Sequence, residues 1–266
     1  MIKLMAFDLD GTILNPESLI EPVVRAAVAR ARAAGIIVTI ATGRMFRSAR
    51  AYAAELGLGA VPLIAYNGAL IQDSGDGRVW CHRPLSHAAA RSIGRYLAAR
   101  GVHVNIYYGD ALYVEAANAI TERYASRVGV EPIVAPGLLS DLPWAPTKML
   151  AVAEPDEIPC LAADIRRLVG DGVTLASSCP TFLEITDRGV NKGAALAELA
   201  AALDIRREEV LAAGDGQNDL EMIRYAGVGV AAHSAFPEVL AEADLVAGPG
   251  PAGIADIIER AASGRL

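Results

Sequence analysis

Met5-Ala6-Phe7-Asp8-Leu9-Asp10-Gly11-Thr12 is the stretch that decides the fold. The residues leading into it, Ile2-Lys3-Leu4-Met5-Ala6-Phe7, are short and mostly apolar, and a turn glycine follows, so the run reads as a buried strand. Side chains two apart on a strand point the same way. Asp8 and Asp10 would therefore present two carboxylates together where strand gives way to loop, with Leu9 turned toward the core. Two like charges that close repel unless a cation or a shared proton relieves them, and a divalent metal is the usual relief. Taken alone, the same residues also fit an Asx-type turn closing a strand. The rest of the chain has to separate the two readings.

Matching positions recur. Gly35-Ile36-Ile37-Val38-Thr39-Ile40-Ala41 is a second β-branched run and ends in Thr42-Gly43-Arg44. Val210-Leu211-Ala212-Ala213 runs into Gly214-Asp215-Gly216-Gln217-Asn218-Asp219. Arg188-Gly189-Val190-Asn191-Lys192-Gly193 precedes an apolar helical stretch. Hydroxyl, cation and carboxylates thus each fall at the C-terminal tip of a strand or the N-terminus of a helix. In an open parallel sheet that edge binds ligands, and helix N-termini offer unpaired N–H groups and a positive dipole end to anions. The set describes an anion site with a metal.

The four stretches, D-x-D-G-T, T-G-R, N-K-G before a helix and G-D-G-x-N-D, resemble in order and spacing the four motifs of the haloacid dehalogenase superfamily, and most of all its Cof-type sugar-phosphate phosphatases. Each motif alone is modestly specific; the four in order are far more so. The resemblance covers both ends of the chain and leaves the middle without a nameable motif. It implies an α/β fold with a doubly wound, Rossmann-like parallel-sheet core and an inserted α/β cap domain, and a Mg2+-dependent phosphatase acting on small-molecule phosphate monoesters.

What that would ask of each residue follows from the chemistry. A phosphate monoester resists attack because both partners are anionic, so catalysis needs charge neutralisation and in-line positioning. Asp8 would be the nucleophile that forms an aspartyl-phosphate, and Asp10 could protonate the leaving alcohol and then deprotonate water. Hard oxygen ligands suit Mg2+, and the resemblance implies Asp8, the backbone carbonyl of Asp10 and Asp215 as its protein ligands, with Asp219 as metal support. Thr42 would hydrogen-bond a phosphoryl oxygen and Lys192 would offset its charge. Leu9, Gly43, Arg44, Asn67 and Asn218 complete the candidate phosphate and substrate contacts.

Simpler roles stay open for several of these. Thr42-Gly43 also fits a helix cap, and Asp219 fits a cap on the helix beginning near Leu220. Lys192 could be a solvated charge, although the helix dipole disfavours a cation there. Arg44 could make a surface salt bridge, and Asn67-Gly68 is first of all a hairpin signal. Gly248-Pro249-Gly250-Pro251-Ala252-Gly253 matches G-x-G-x-x-G, but no βαβ unit or acidic residue about twenty positions on can follow before Leu266, so it reads as a loop with a helix start. His82, His87, His103 and His233 show no ligand spacing and read as surface or hydrogen-bonded residues.

Composition sets wider bounds. A chain of 266 residues, 53% hydrophobic, has room for two domains with real cores. A net charge of −7, with no Lys/Arg run, argues against nucleic-acid binding, so an anionic substrate must be drawn by local cations. Cys81, Cys160 and Cys179 are few and unpatterned, as expected of reduced thiols in a cytoplasmic protein. Met1-Ile2-Lys3 leads straight into the expected strand, so no signal peptide is expected, and no uncharged run suits a membrane span.

The rhythm of the chain places the insert. Helices are expected over Pro22 to Ala34 and Met45 to Leu56, with strands around Leu63 and Val79 framing a turn at Ser74-Gly75-Asp76-Gly77. From Pro84 the pattern changes to a capped helix, Ser86 to Arg100, and a hairpin of Val102 to Tyr108 and Leu112 to Glu115. A helix near Asn118 to Val128, an irregular stretch from Glu131 to Pro146, a strand at Met149 to Ala153, a helix to Val169 and strands at Val173 to Ser177 and Phe182 to Thr186 follow. Beyond Asp187 helix and strand alternate again. The expected division is a core of 1–83 and 187–266 with a cap of 84–186, whose closure would exclude water. Tyr107, Tyr108, Tyr113, His103, Lys148 and Glu184 are candidate specificity residues of that cap. A phosphomutase of the phosphomannomutase type, a receiver-like module accepting phosphate without turnover, and a non-catalytic binding protein are the other readings. Asp10 and the cap weigh against the receiver-like module, and the complete motif set against the binding protein.

Overall fold

The computed structural model describes every residue, Met1–Leu266. The chain divides into two units, one of Met1–Cys81 with Asn191–Leu266 and one of His82–Val190, within a few residues of the boundaries drawn from the sequence.

The first unit begins with β1 (Leu4–Phe7), α1 (Pro22–Ala33), β2 (Ile37–Ile40), α2 (Phe46–Glu55), β3 (Pro62–Ala65), β4 (Leu70–Asp73) and β5 (Val79–His82, ending at the boundary). Every residue of β1 is buried, as a parallel strand covered on both faces requires. Proline opens α1 in the first turn, where the missing N–H costs no helical bond. β4 was given no range from the sequence, but the hairpin signal at Asn67-Gly68 is met: Leu70-Ile71-Gln72-Asp73, short and half polar, pairs antiparallel with β3 from Pro62↔Asp73 to Ala65↔Leu70. The turn between them places Tyr66 and Asn67 at positive φ, 52° and 58°.

The second unit holds α3 (His87–Ala99), β6 (His103–Tyr108), β7 (Ala111–Val114), α4 (Ala119–Val128), β8 (Ile133–Val134), β9 (Lys148–Val152), α5 (Ile158–Val169), β10 (Val173–Ala176) and β11 (Phe182–Asp187). They build a six-stranded sheet in the order β10-β11-β9-β6-β7-β8. Alternation along its strands sorts the two faces. Val104, Ile106, Met149, Ala151, Leu183 and Ile185 point one way and pack with Ala90, Ile93 and Leu97 of α3 and Ile158, Leu161 and Ile165 of α5. Burying a large aliphatic side chain there contributes roughly 1.5–3 kcal/mol. Ser86 and Asn118 cap α3 and α4 by accepting hydrogen bonds from Ala89 N and Thr121 N. β8 lies within the stretch expected to be irregular, pairing Tyr113↔Ile133 and Val114↔Val134.

The chain returns to the first unit with α6 (Lys192–Ala202), β12 (Val210–Gly214), α7 (Leu220–Tyr225), β13 (Val228–Ala231), α8 (Pro237–Glu242), β14 (Leu245–Val246) and α9 (Gly250–Ala262). The expected loop at Gly248–Gly253 thus does open a helix. The main sheet is parallel with the order β14-β13-β12-β1-β2. From β1 the chain moves outward to β2, then returns on the other side through β12, so the order reverses beside β1. Ligand sites of open α/β sheets form at that reversal, beyond the carboxyl ends of the strands.

Candidate active site

Three strand ends of the first unit deliver the acidic and hydroxyl groups. Asp8 follows β1 in extended conformation and its N–H donates to Ala213 O of β12 at 3.0 Å. Thr42 follows β2, tied by its N–H to Ile64 O at 2.9 Å. Asp215 follows β12. Beyond Asp8 the chain tightens into a helical turn over Leu9–Ile13 with Gly11 at φ +76°. A Cβ at Gly11 would lie 2.2 Å from Asp215 Oδ2, so only glycine lets the β1 turn approach this carboxylate. Leu9 is fully buried, as expected, although it lies in this turn rather than on the strand from which its burial was read.

Lys192 sits at the first position of α6 and is fully buried. The positive end of the helix dipole disfavours a cation there. Two carboxylates compensate: Nζ donates to Asp8 Oδ1 at 2.6 Å and to Asp219 Oδ1 at 2.5 Å. Asp219 is fully used, because its Oδ2 accepts from the N–H groups of Asp215 (3.0 Å) and Gly216 (2.9 Å). It therefore shapes the turn that carries Asp215 and makes no side-chain cap on α7. Thr12, to which the sequence alone gave no role, donates from Oγ1 to Asp215 Oδ1 at 3.2 Å. It is the last residue of the D-x-D-G-T motif, which was the available signal.

Asp8, Asp215 and Asp219 bring carboxylate oxygens within 4.8 Å of one another. One ammonium cannot neutralise three carboxylates. Burial, reinforced by Asp219, Asp215 and Asp10 and opposed by Lys192, holds the Asp8 carboxyl well above its usual range. Burial and Asp219 likewise push Asp215 up to about 7, against the pull of Lys192 and the Thr12 hydrogen bond. Burial lowers the Lys192 ammonium, but Asp219 and Asp8 outweigh it and leave the group above its ordinary value. A cluster of hard oxygen donors with surplus negative charge fits a divalent cation.

The remaining sequence candidates form a second ring. Arg44 does make a salt bridge, but a buried one and not one at the surface: it donates to Asp10 from Nη2 (2.6 Å, to Oδ1) and Nε (2.7 Å, to Oδ2). Such a bidentate fork fixes the orientation of the Asp10 carboxylate. Arg44 also donates to Tyr52 OH at 3.1 Å, and that hydroxyl donates to Ser18 O at 3.0 Å. Tyr52 was not among the sequence candidates, since nothing marks a tyrosine in mid-helix as an anchor. Thr42 is buried and its Oγ1 accepts from Arg44 N at 3.1 Å, while Gly43 lies half-buried between them. Asn67 N–H donates to Thr42 O at 3.0 Å, and Asn218 Nδ2 donates to Asn67 Oδ1 at 3.1 Å. The left-handed backbone of Tyr66 and Asn67 is strain of the kind found at working sites. The structure therefore brings Asp8, Asp215, Asp219 and Lys192 into one cluster, with Asp10–Arg44 and Thr42–Asn67–Asn218 bonded around it.

Carboxylates, an ammonium and a hydroxyl at the ends of β1, β2, β12 and the start of α6 are the equipment of phosphoryl transfer. The sequence profile of the haloacid dehalogenase-like hydrolases matches residues 5–258. The chain belongs to that family. Phosphatase is accordingly its enzyme class. The 5-amino-6-(5-phospho-D-ribitylamino)uracil phosphatase YcsE of Bacillus subtilis is 32% identical over 246 residues, 92% of this hydrolase and 89% of YcsE. The HMP-PP phosphatase of Cronobacter sakazakii is 30% identical over 254 residues, 91% of this chain and 88% of that one. Among solved structures, TM0651 from Thermotoga maritima superimposes with a TM-score of 0.84 at 31% identity, covering 98% of this chain and 97% of its own. No helix of the hydrolase is long and apolar enough to cross a membrane.

Proposed function

We propose that this hydrolase is a Mg2+-dependent phosphatase that cleaves phosphate monoesters of small molecules, sugar phosphates above all, through an aspartyl-phosphate on Asp8. The observation that carries the reading is the cluster of Asp8, Asp215 and Asp219, the first and last of them buried against a single ammonium. Its surplus negative charge calls for a divalent cation before any phosphate can approach. Asp8, the Asp10 carbonyl and Asp215 would hold Mg2+, which would neutralise the charge shared by phosphate and carboxylates.

In the first step a carboxylate oxygen of Asp8 forms a bond to phosphorus as the ester P–O bond breaks. The departing alkoxide takes its proton from Asp10, which must first be protonated as the two-pronged Arg44 contact that holds it as a carboxylate here opens. Lys192, beside Asp8, and the Thr42 hydroxyl stabilise charge on the phosphoryl oxygens. In the second step Asp10, now ionised, takes a proton from water as the water oxygen bonds phosphorus, and the Asp8–phosphorus bond breaks to release inorganic phosphate. Asp219 keeps the Asp215 turn and Lys192 fixed throughout.

Support for a hydroxyl-rich substrate comes from the relatives, since YcsE is named for a substrate with a phosphorylated ribityl chain. The test is phosphate release over a panel of sugar phosphates, nucleotides, phosphoglycolate and pyridoxal phosphate, with Mg2+ and with excess EDTA. Turnover of sugar phosphates that EDTA abolishes supports the reading, and turnover undiminished in EDTA contradicts it.

A further inference from the structure

Arg44 is held by more than Asp10. Tyr52 sits on α2 between buried Ala49 and Ala53, at the edge of the face that the helix turns inward, and is itself half-buried. Helical side chains lean toward the N-terminus of their helix, which carries the Tyr52 ring back toward the residues that precede α2. Its hydroxyl lies 3.1 Å from Arg44 Nη1, and the guanidinium carbon lies over the ring, 5.1 Å from its centre. At that distance the face of an aromatic ring attracts a cation.

Chemistry fixes the direction of each bond. A guanidinium has no acceptor to offer, so the Tyr52 oxygen accepts from Arg44. The one hydroxyl proton is then directed to Ser18 O, at 3.0 Å. A tight hairpin aims that carbonyl: Leu14 and Ile20 pair across it, Ser18 N–H donates to Asn15 O at 2.9 Å, and Leu19 N–H donates to Asn15 Oδ1 at 2.9 Å. Ser18 itself takes a left-handed backbone, φ 60°, which a residue other than glycine adopts at a cost. The nitrogens of Arg44 are thus divided. Nε and Nη2 serve Asp10, while Nη1 serves a hydroxyl whose own proton is anchored on backbone. Arg44 is only 5% exposed, so when Asp10 moves away this buried cation needs a second partner within reach.

We infer that Tyr52 is a positioning residue for the reaction: it holds Arg44 through the nitrogen that Asp10 leaves unused, so that Asp10 moves when the two-pronged contact opens and Arg44 stays. The inference rests on the phosphatase reading, because that reading gives Asp10 the proton transfer. A tyrosine that only stapled the hairpin to α2 would need its bond to Ser18 O and nothing more. The second bond, to Arg44, ties it to the carboxyl that does the chemistry.

The experiment compares Tyr52→Phe, which removes the hydroxyl and keeps the ring, with the wild type, and repeats the comparison in an Asp10→Asn background. The quantity read is kcat/KM, which reports formation of the aspartyl-phosphate, for p-nitrophenyl phosphate and for a sugar or other alkyl phosphate that the wild type cleaves. Tyr52→Phe should lower it by about tenfold for the alkyl ester. The loss should shrink to about twofold for p-nitrophenyl phosphate, whose leaving group needs no proton. Inhibition by inorganic phosphate should be unchanged, since Tyr52 acts on Asp10 and not on phosphate binding. In the Asp10→Asn background Tyr52→Phe should cost nothing further, because the group it positions is gone. Equal losses for the two substrates, an undiminished loss in the Asp10→Asn background, weaker inhibition by phosphate, or no loss at all would overturn the inference. Release of phosphate from p-nitrophenyl phosphate by the wild type, abolished by EDTA, tests the phosphatase reading separately.

Discussion

At the scale of single residues the account turns on how two neighbouring carboxylates are kept in different states. Asp8 is buried against Lys192, whereas Asp10 is about one-third exposed and gripped by Arg44. Asp8→Asn removes the nucleophile and one metal charge while keeping the shape, so turnover should fall ~10³-fold or more. The far-ultraviolet circular dichroism spectrum should stay that of a folded protein. Asp10→Asn should slow both formation and hydrolysis of the aspartyl-phosphate. The defect in formation should shrink for p-nitrophenyl phosphate, whose leaving group needs no proton. Stopped-flow phosphate release with a good and a poor leaving group checks this, and equal losses for both would remove Asp10 from the acid/base role. Arg44→Lys keeps the charge and loses the two-pronged grip on Asp10, so kcat should drop about tenfold or more with little change in KM for the better substrates.

At the scale of elements, α6 is stabilised as it starts by a cation the dipole would repel. Lys192→Met should cost about 3–5 kcal/mol at neutral pH, read as a fall in the denaturation midpoint, because Asp8 and Asp219 are left buried without their partner. Strand ends and helix starts are also where the sequence was most legible. Each motif there combines an apolar run, a turn glycine and a group with chemistry, and each was found at the expected end of β1, β2, β12 or α6. What could not be read was pairing at long separation. The Thr12–Asp215 bond spans 203 positions and the Asn67–Asn218 bond 151, and nothing local in either partner announces the other. The polar face of the cap sheet was half legible for the same reason. Lys148 and Glu184 could be picked out as charges on expected strands. Only the β6–β9–β11 register puts Asn105 with them and turns Tyr113 to the opposite side.

For the whole molecule, charge balance links metal, pH and stability. The folded chain raises Asp215 from 3.8 to about 7 and Asp8 in the same direction, so folding favours their protonated forms. Stability from that source is complete below the unfolded value and is lost as pH rises through the folded one. Without divalent cations the melting temperature should therefore decline between about pH 4 and pH 7 from these groups. A metal that binds only the ionised carboxylates reverses this, so the rise in melting temperature on adding Mg2+ should be larger near pH 8 than near pH 5.5. A Mg2+ effect independent of pH would contradict the assignment of Asp8 and Asp215 as ligands.

The covalent step is the claim on which the rest depends, and it can be observed directly. Enzyme mixed with an excess of phosphate-labelled sugar phosphate and Mg2+, quenched in acid within a turnover and digested, should yield one labelled peptide, the one containing Asp8. The label should be stable in acid, lost in mild base and absent from the Asp8→Asn protein. Turnover at the normal rate with no labelled peptide, or with the label on another residue, would contradict the account.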